Sequence, residues 1–251
     1  MREDKKIAIL IDAENAQLSS LSSILKEISK HGNIIVKRAY GDWSSNHLKN
    51  WKKTINELVI QPIQQFSYTQ GKNSSDSALI IDAMDLLYTN KFDAFAIVSS
   101  DSDFTPLASR LKESRIHVYG VGEKKTPSSF INACDDFIYV EVLKEIESDE
   151  NKGSKSKQKA IKKDIKKDKK LINILKSAME DCADEDGWAS LAECGNLIKK
   201  QLPDFDPRNY GYKKLSALIE DTNLFELWKK SLEPSGKKVI YFRDINKYGE
   251  R

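Results

Sequence analysis

Cysteine and histidine are scarce in this chain, phosphate-cradling glycine motifs are missing, and each lack excludes a class of chemistry. The three cysteines, Cys134, Cys182 and Cys194, are scattered and odd in number. They fit neither a disulfide framework nor a zinc knuckle, and read as small buried residues in a reducing cytoplasm. The three histidines, His31, His47 and His117, lie away from the acidic strand ends described below. That argues against an imidazole metal site or a histidine-based triad. No Gly-x-Gly-x-x-Gly and no Walker loop follows a strand, so a nucleotide cofactor is not expected. No apolar run approaches the length of a membrane span. Met1-Arg2-Glu3-Asp4-Lys5-Lys6 leads directly into a strand, without the pattern of a signal peptide. A cytoplasmic protein with no membrane contact is expected.

Charge is plentiful and unevenly placed. Charged residues make up 31% of the chain, and the net charge is +3. Residues 152–170 carry ten lysines against two aspartates, while residues 1–151 and 171–251 are both net acidic. The lysine run has no apolar periodicity. It reads as a flexible linker over residues 144–167, serving as a tether or as a non-specific phosphate contact. It separates a larger domain, residues 1–143, from a smaller one, residues 168–251.

Through residues 5–143 apolar strands alternate with helices, which implies an α/β fold with a parallel sheet sandwiched by helices. The first strand, Lys6-Ile7-Ala8-Ile9-Leu10-Ile11, stops at Asp12-Ala13-Glu14-Asn15, and a helix bearing Leu18, Leu21, Ile24, Leu25 and Ile28 follows. A second strand opens at Ile34. A helix is predicted over residues 46–57 and a third strand over 58–63, demoted to an edge by Pro62. A polar loop leads to a well-buried helix opened by Asp76. A buried strand at 94–98, a helix, a strand at 116–121 and a short helix from Pro127 follow, and residues 137–142 close the sheet. In the smaller domain, one helix begins at Leu171. Another opens at the capping-box pattern Ser190-Leu191-Ala192-Glu193, and a third is predicted over 209–220. Two short strands then complete a winged helix-turn-helix order.

Acidic residues gather at one edge of the larger domain's sheet. Asp12 ends the first strand, Asp76 starts a helix, and Asp101 and Asp103 carry a buried strand into a helix. In open α/β sheets the carboxyl edge is where ligands bind. Each residue alone has an ordinary explanation. Asp76 and Asp103 serve as helix caps, Asp101 shapes a turn, Asn15 caps the first helix, and Lys72 is an exposed lysine. Together the carboxylates repel one another unless a cation lies between them. Asp12, Asp76, Asp101 and Asp103 form an all-oxygen set suited to Mg2+ or Mn2+. Such a set serves phosphodiester cleavage. Lys72 is placed to hold a substrate phosphate, and Asn15 to position a water or ligand oxygen. Asp82 falls on another helix face and reads as structural. A HAD-type phosphohydrolase would need Asp-x-Asp at the end of the first strand, where this chain has Asp12-Ala13-Glu14.

Three segments taken in order resemble the motifs of the NYN domain, a PIN-like nuclease family, across residues 5–143. They are Ile11-Asp12-Ala13-Glu14-Asn15, Lys72-Asn73-Ser74-Ser75-Asp76 and Val98-Ser99-Ser100-Asp101-Ser102-Asp103-Phe104. Residues 168–246, above all Arg208-Asn209-Tyr210-Gly211-Tyr212-Lys213-Lys214-Leu215, resemble the OST-HTH domain, also called LOTUS. The first resemblance implies a PIN-like fold and a metal-dependent endoribonuclease. In it Asp12, Asp76, Asp101 and Asp103 bind the metal, and Asn15 takes the polar position after the first aspartate. The second implies RNA binding, or protein binding as in some relatives. Lys199, Lys200, Arg208, Lys213 and Lys214 form its candidate basic surface. Tyr210 either stacks on a base or packs among the helices. RNA, single-stranded or structured, is the expected partner. The carboxylate chemistry does not exclude DNA, and a protein partner or a homodimer through either domain stays open. The competing reading is a non-catalytic RNA-binding adaptor.

Overall fold

The computed structural model describes residues 4–66, 74–151, 165–232 and 237–248. It divides into two compact units, Met1–Lys152 and Gly153–Arg251. Lys72 and residues 152–164 of the lysine-rich segment lie outside the described residues. Among the described residues, no helix is long and apolar enough to cross a membrane.

The first unit is a six-stranded sheet: β1 (Lys6–Asp12), β2 (Asn33–Gly41), β3 (Gln61–Gln64), β4 (Ala94–Val98), β5 (His117–Gly122) and β6 (Asp136–Tyr139). Every pairing is parallel, in the order β3-β2-β1-β4-β5-β6. Side chains alternate between the two faces. Ile7, Ile9, Ile11, Ala94, Ala96 and Val98 join one core with α1 (Leu21–Ile28) and α2 (Trp51–Leu58). Ala8, Leu10, Phe95 and Ile97 join the other, with α3 (Ser74–Tyr88), α4 (Thr105–Glu113) and α5 (Ser128–Ala133). Both faces of the central strands are therefore buried, which explains their unbroken apolar runs. Pro62 sits on the edge strand β3, as its missing N–H requires.

From β1 the chain winds outward through β2 to β3, then returns to place β4 on the other side of β1. The topological switch point lies between β1 and β4, so their carboxyl ends border the ligand-binding crevice of such sheets.

Two elements differ from expectation in this unit. The last strand stops at Tyr139, and Val140 begins α6 (Val140–Asn151), which runs past the domain boundary read at residue 143. Val140 and Leu143 are buried on the α1 and α2 side. Their spacing of three serves a helix, although Val140 and Val142 are β-branched. The second helix begins at Trp51 rather than residue 46.

The second unit holds α7 (Lys169–Cys182), α8 (Leu191–Gln201) and α9 (Leu215–Thr222). With them is an antiparallel sheet in the order β7-β9-β8, formed by β7 (Ala189–Ser190), β8 (Phe225–Leu232) and β9 (Lys237–Asp244). The expected capping box does not form: Ser190 precedes α8, but its side chain makes no cap hydrogen bond. The third helix is shorter than its sequence pattern. A 3-10 turn at Pro207–Tyr210 ends at Gly211, whose φ of 84° is left-handed, and Lys214 is extended before α9 begins. Glycine takes that conformation without a Cβ clash, so the helical period is broken there.

Candidate metal centre

Asp12 is the last residue of β1 and shares the parity of Ala8 and Leu10, so it points to the α3 side of the sheet. It is 1% exposed. Its Oδ1 accepts the N–H groups of Glu14 and Asn15 at 3.2 and 3.3 Å. Its Oδ2 accepts from Asn15 Nδ2 at 2.8 Å and Ser99 Oγ at 2.7 Å. Ser99 Oγ in turn accepts the N–H of Asp101 at 3.1 Å. Buried Ser99 thus ties the carboxyl ends of β1 and β4 together across the switch point. Burial raises the Asp12 pKa, and the hydrogen bonds from Asn15 and Ser99 pull against that rise.

Asp76, Asp101 and Asp103 form the cluster. One carboxylate oxygen from each lies within 4.8 Å of the others. Asp76 is in the first turn of α3 and 6% exposed. Asp101 caps the 3-10 turn before α4, its Oδ1 accepting the N–H of Asp103 at 2.9 Å. Asp103 is exposed. The cap is therefore Asp101, not Asp103, and Asn15 braces Asp12 instead of capping the first helix. Asp76 shows how acidic the place is. A helix N-terminus favours a carboxylate, yet the Asp76 pKa is pushed up to about 6. Burial is the first cause, followed by repulsion from Asp12, Asp101, Glu14 and Asp103. Such a cluster fits a hard divalent cation, which would relieve that repulsion with oxygen ligands.

The structure thus brings Asp76, Asp101 and Asp103 together, with Asp12 alongside and its oxygens held by four donors. Ser99 and Glu14 were missed. Their only sequence signal is adjacency to the aspartates. Asp82 lies elsewhere on α3 and binds Arg38 and the Tyr40 hydroxyl. Asp82→Ala is expected to lower stability by about 1–2 kcal/mol, because it strands those donors. It should leave any Mn2+-induced rise in Tm unchanged, which paired thermal melts would check.

Beyond the carboxyl end of β2, a cavity of about 550 Å3 is lined by Trp43, Asn46, Lys49 and Lys52 among others. Trp43 Nε1 donates to the Ile63 carbonyl at 2.9 Å, and its ring packs edge-on to Trp51. In the second unit Lys199 and Lys200 close α8, exposed, and exposed Lys213 and Lys214 precede α9. Arg208 is committed to Asp206, with both Nε and Nη2 donating to its Oδ2 at 2.8 and 2.6 Å. Tyr210 is half-buried, its ring centroid 6.2 Å from that of Phe205, and burial raises its pKa.

Comparison with known proteins matches residues 6–146 to the NYN domain and residues 163–234 to the OST-HTH/LOTUS domain. The chain is 26% identical over 160 residues to the uncharacterised protein MJ0482 of Methanocaldococcus jannaschii, a match covering 62% of each. The chain thus spans less than two thirds of the length of that curated relative. Among solved structures, a protein of unknown function, VPA0982 of Vibrio parahaemolyticus, aligns at a TM-score of 0.47 and 17% identity. That alignment covers 55% of this chain and 94% of the other. An uncharacterised protein from locus NE0665 of Nitrosomonas europaea aligns at 0.29 and 37% identity, covering 37% and 90% respectively.

Proposed function

The chain belongs to the NYN-domain family and carries an OST-HTH/LOTUS domain behind it, and from that premise we propose that it is a metal-dependent endoribonuclease whose second unit binds RNA. The observation that carries the reading is the convergence of Asp76, Asp101 and Asp103 beside buried Asp12 at the sheet's switch point.

Asp76, Asp101 and Asp103 would hold Mg2+ or Mn2+. When bound, such an ion supplies positive charge to a phosphodiester and makes a water acidic enough to attack it. Asp12 keeps the site negative and, through Ser99, fixes the backbone that presents Asp101. Asn15 acts on Asp12 rather than on substrate. Lys49 and Lys52 line the cavity beyond the end of β2, and among the described residues neither has a carboxylate partner. They are the candidates within the first unit for contacts to substrate phosphates, alongside Lys72.

The test is incubation of the full chain with end-labelled single-stranded RNA, with Mg2+, Mn2+ or EDTA, and single-stranded DNA in parallel. Internal cleavage of RNA with either metal and none with EDTA is expected. RNA bound without cleavage under both metals would overturn the nuclease reading in favour of an adaptor.

A further inference from the structure

The wing of the second unit has two faces. Phe225, Leu227 and Phe242 pack into or against the core. By alternation Trp228, Lys230, Tyr241 and Arg243 stand on the opposite face. Trp228 pairs directly with Tyr241 across the strands, their ring centroids 5.8 Å apart. Trp188, just before β7, extends the row, 5.6 Å from Trp228. Its backbone is held by a tight turn. The Asp184 carboxylate accepts the N–H of Trp188 at 2.8 Å, and Gly187 takes a φ of 80°.

Two cations lie on these rings. The Arg243 guanidinium is 4.5 Å from the Trp188 centroid, and Lys230 Nζ is 5.2 Å from that of Trp228. Glu226 is on the same face and pairs with Arg243 at 2.8 Å. Trp228 remains 44% exposed.

We propose that this face is the stacking platform for unpaired nucleotides, and that the second unit grips single-stranded RNA here rather than through Arg208 and Tyr210. Three aromatic rings in a row offer π-faces to successive bases, and Lys230 beside them meets the backbone, Arg243 being paired with Glu226. Protein interface cores are depleted in lysine, whereas nucleic-acid interfaces are positively charged. That favours a nucleic acid over a protein as occupant. The candidates named from sequence fit the role less well: Arg208 is neutralised by Asp206, and Tyr210 is half-buried beside Phe205.

The proposal rests on the RNA-binding half of the proposed function and not on cleavage, so it is tested in EDTA. The full chain is titrated into a labelled, unstructured RNA of about 12 nucleotides, within the usual span of such sites. Fluorescence anisotropy reports the affinity. Trp228→Ala is expected to weaken binding about tenfold, the scale of one lost base–aromatic stack, while Trp228→Phe retains most of it. Lys230→Ala lowers the salt slope by about one, and single-stranded DNA of the same sequence binds within a few-fold. Unchanged affinity in Trp228→Ala at an unchanged Tm, absent RNA binding, or equal binding of a duplex would each overturn it. Unchanged affinity would make the face a packing ladder or a protein surface. Cleavage with Mn2+ is scored separately. A chain that binds through Trp228 without cutting refutes only the nuclease, and one that cuts while ignoring Trp228 refutes only the platform.

Discussion

Asp101→Asn is expected to lower metal-dependent RNA cleavage roughly 10^3-fold, since metal charge stabilisation is worth several kcal/mol and each 1.36 kcal/mol is a factor of ten. Folding should survive. Among the described residues, the one hydrogen bond of this side chain is accepted by Oδ1 from the Asp103 N–H, and an asparagine oxygen can accept it unchanged. What the substitution removes is one negative charge from a group of three. RNA affinity in EDTA should hold, because among the described residues Asp101 pairs with no basic side chain. Cleavage assays on wild type and variant, with a thermal melt as control, decide it. Equal cleavage by the variant would place the activity elsewhere or in a contaminant.

Asp12 makes a poorer probe. Its two oxygens accept from four N–H and O–H donors. In either orientation an asparagine would turn its amide against some of them, at the cost of buried unsatisfied donors. Loss of activity in that variant would mix damage at the β1–β4 junction with loss of charge.

The same residues show what was legible in the chain. The strands at the centre of the sheet were plain because both their faces are buried, which leaves continuous apolar runs. Asp12 stands at the end of β1 for the same reason, since the apolar run stops where the sheet does, whereas Asp101 lies beyond the end of β4, as the cap of the next turn. Local cap chemistry was not legible. Asp101 and Asp103 are both good capping residues, and the choice between them depends on which backbone N–H the turn presents. Ser190-Leu191-Ala192-Glu193 matches a capping box, yet Ser190 is also paired in the sheet with Tyr241, and its hydroxyl makes no cap bond. Val140 and Val142 suited a strand by propensity, but tertiary burial took them into a helix. The Trp188–Trp228–Tyr241 row was hidden because its members are far apart in sequence and meet only through strand register. A reading that weighs basic residues near a helix finds Arg208 but has no means of seeing its partner, Asp206.

The second large effect runs against ordinary expectation for a buried polar residue. Asp76→Asn is expected to stabilise the metal-free protein at neutral pH while abolishing its response to metal. In the folded chain Asp76 titrates at about 6, against 3.8 as the reference for an unfolded chain. Between these values the native state binds more protons than the unfolded state, so this residue's contribution to stability falls as pH rises through that window. Above it, the carboxylate is charged in a buried place already crowded by Asp12, Asp101, Glu14 and Asp103. A shift of that size corresponds to roughly 3 kcal/mol. The amide removes the repulsion but not the burial of a polar group, so a net gain of about 1–2 kcal/mol is expected. That amounts to several degrees in Tm at about 2–4 °C per kcal/mol. Below pH 4 the variant should be about 1–2 kcal/mol less stable than wild type, and the difference should move by roughly 3 kcal/mol in its favour as pH rises through about 6, a comparison in which carboxylates outside the cluster cancel. Adding Mn2+ at neutral pH should then reverse the order. Wild type gains stability by mass action, because the ion binds the folded carboxylate cluster, and the variant does not. If Asp76→Asn were destabilising at every pH, Asp76 would be a structural helix-start residue rather than one held in place at a cost to the fold.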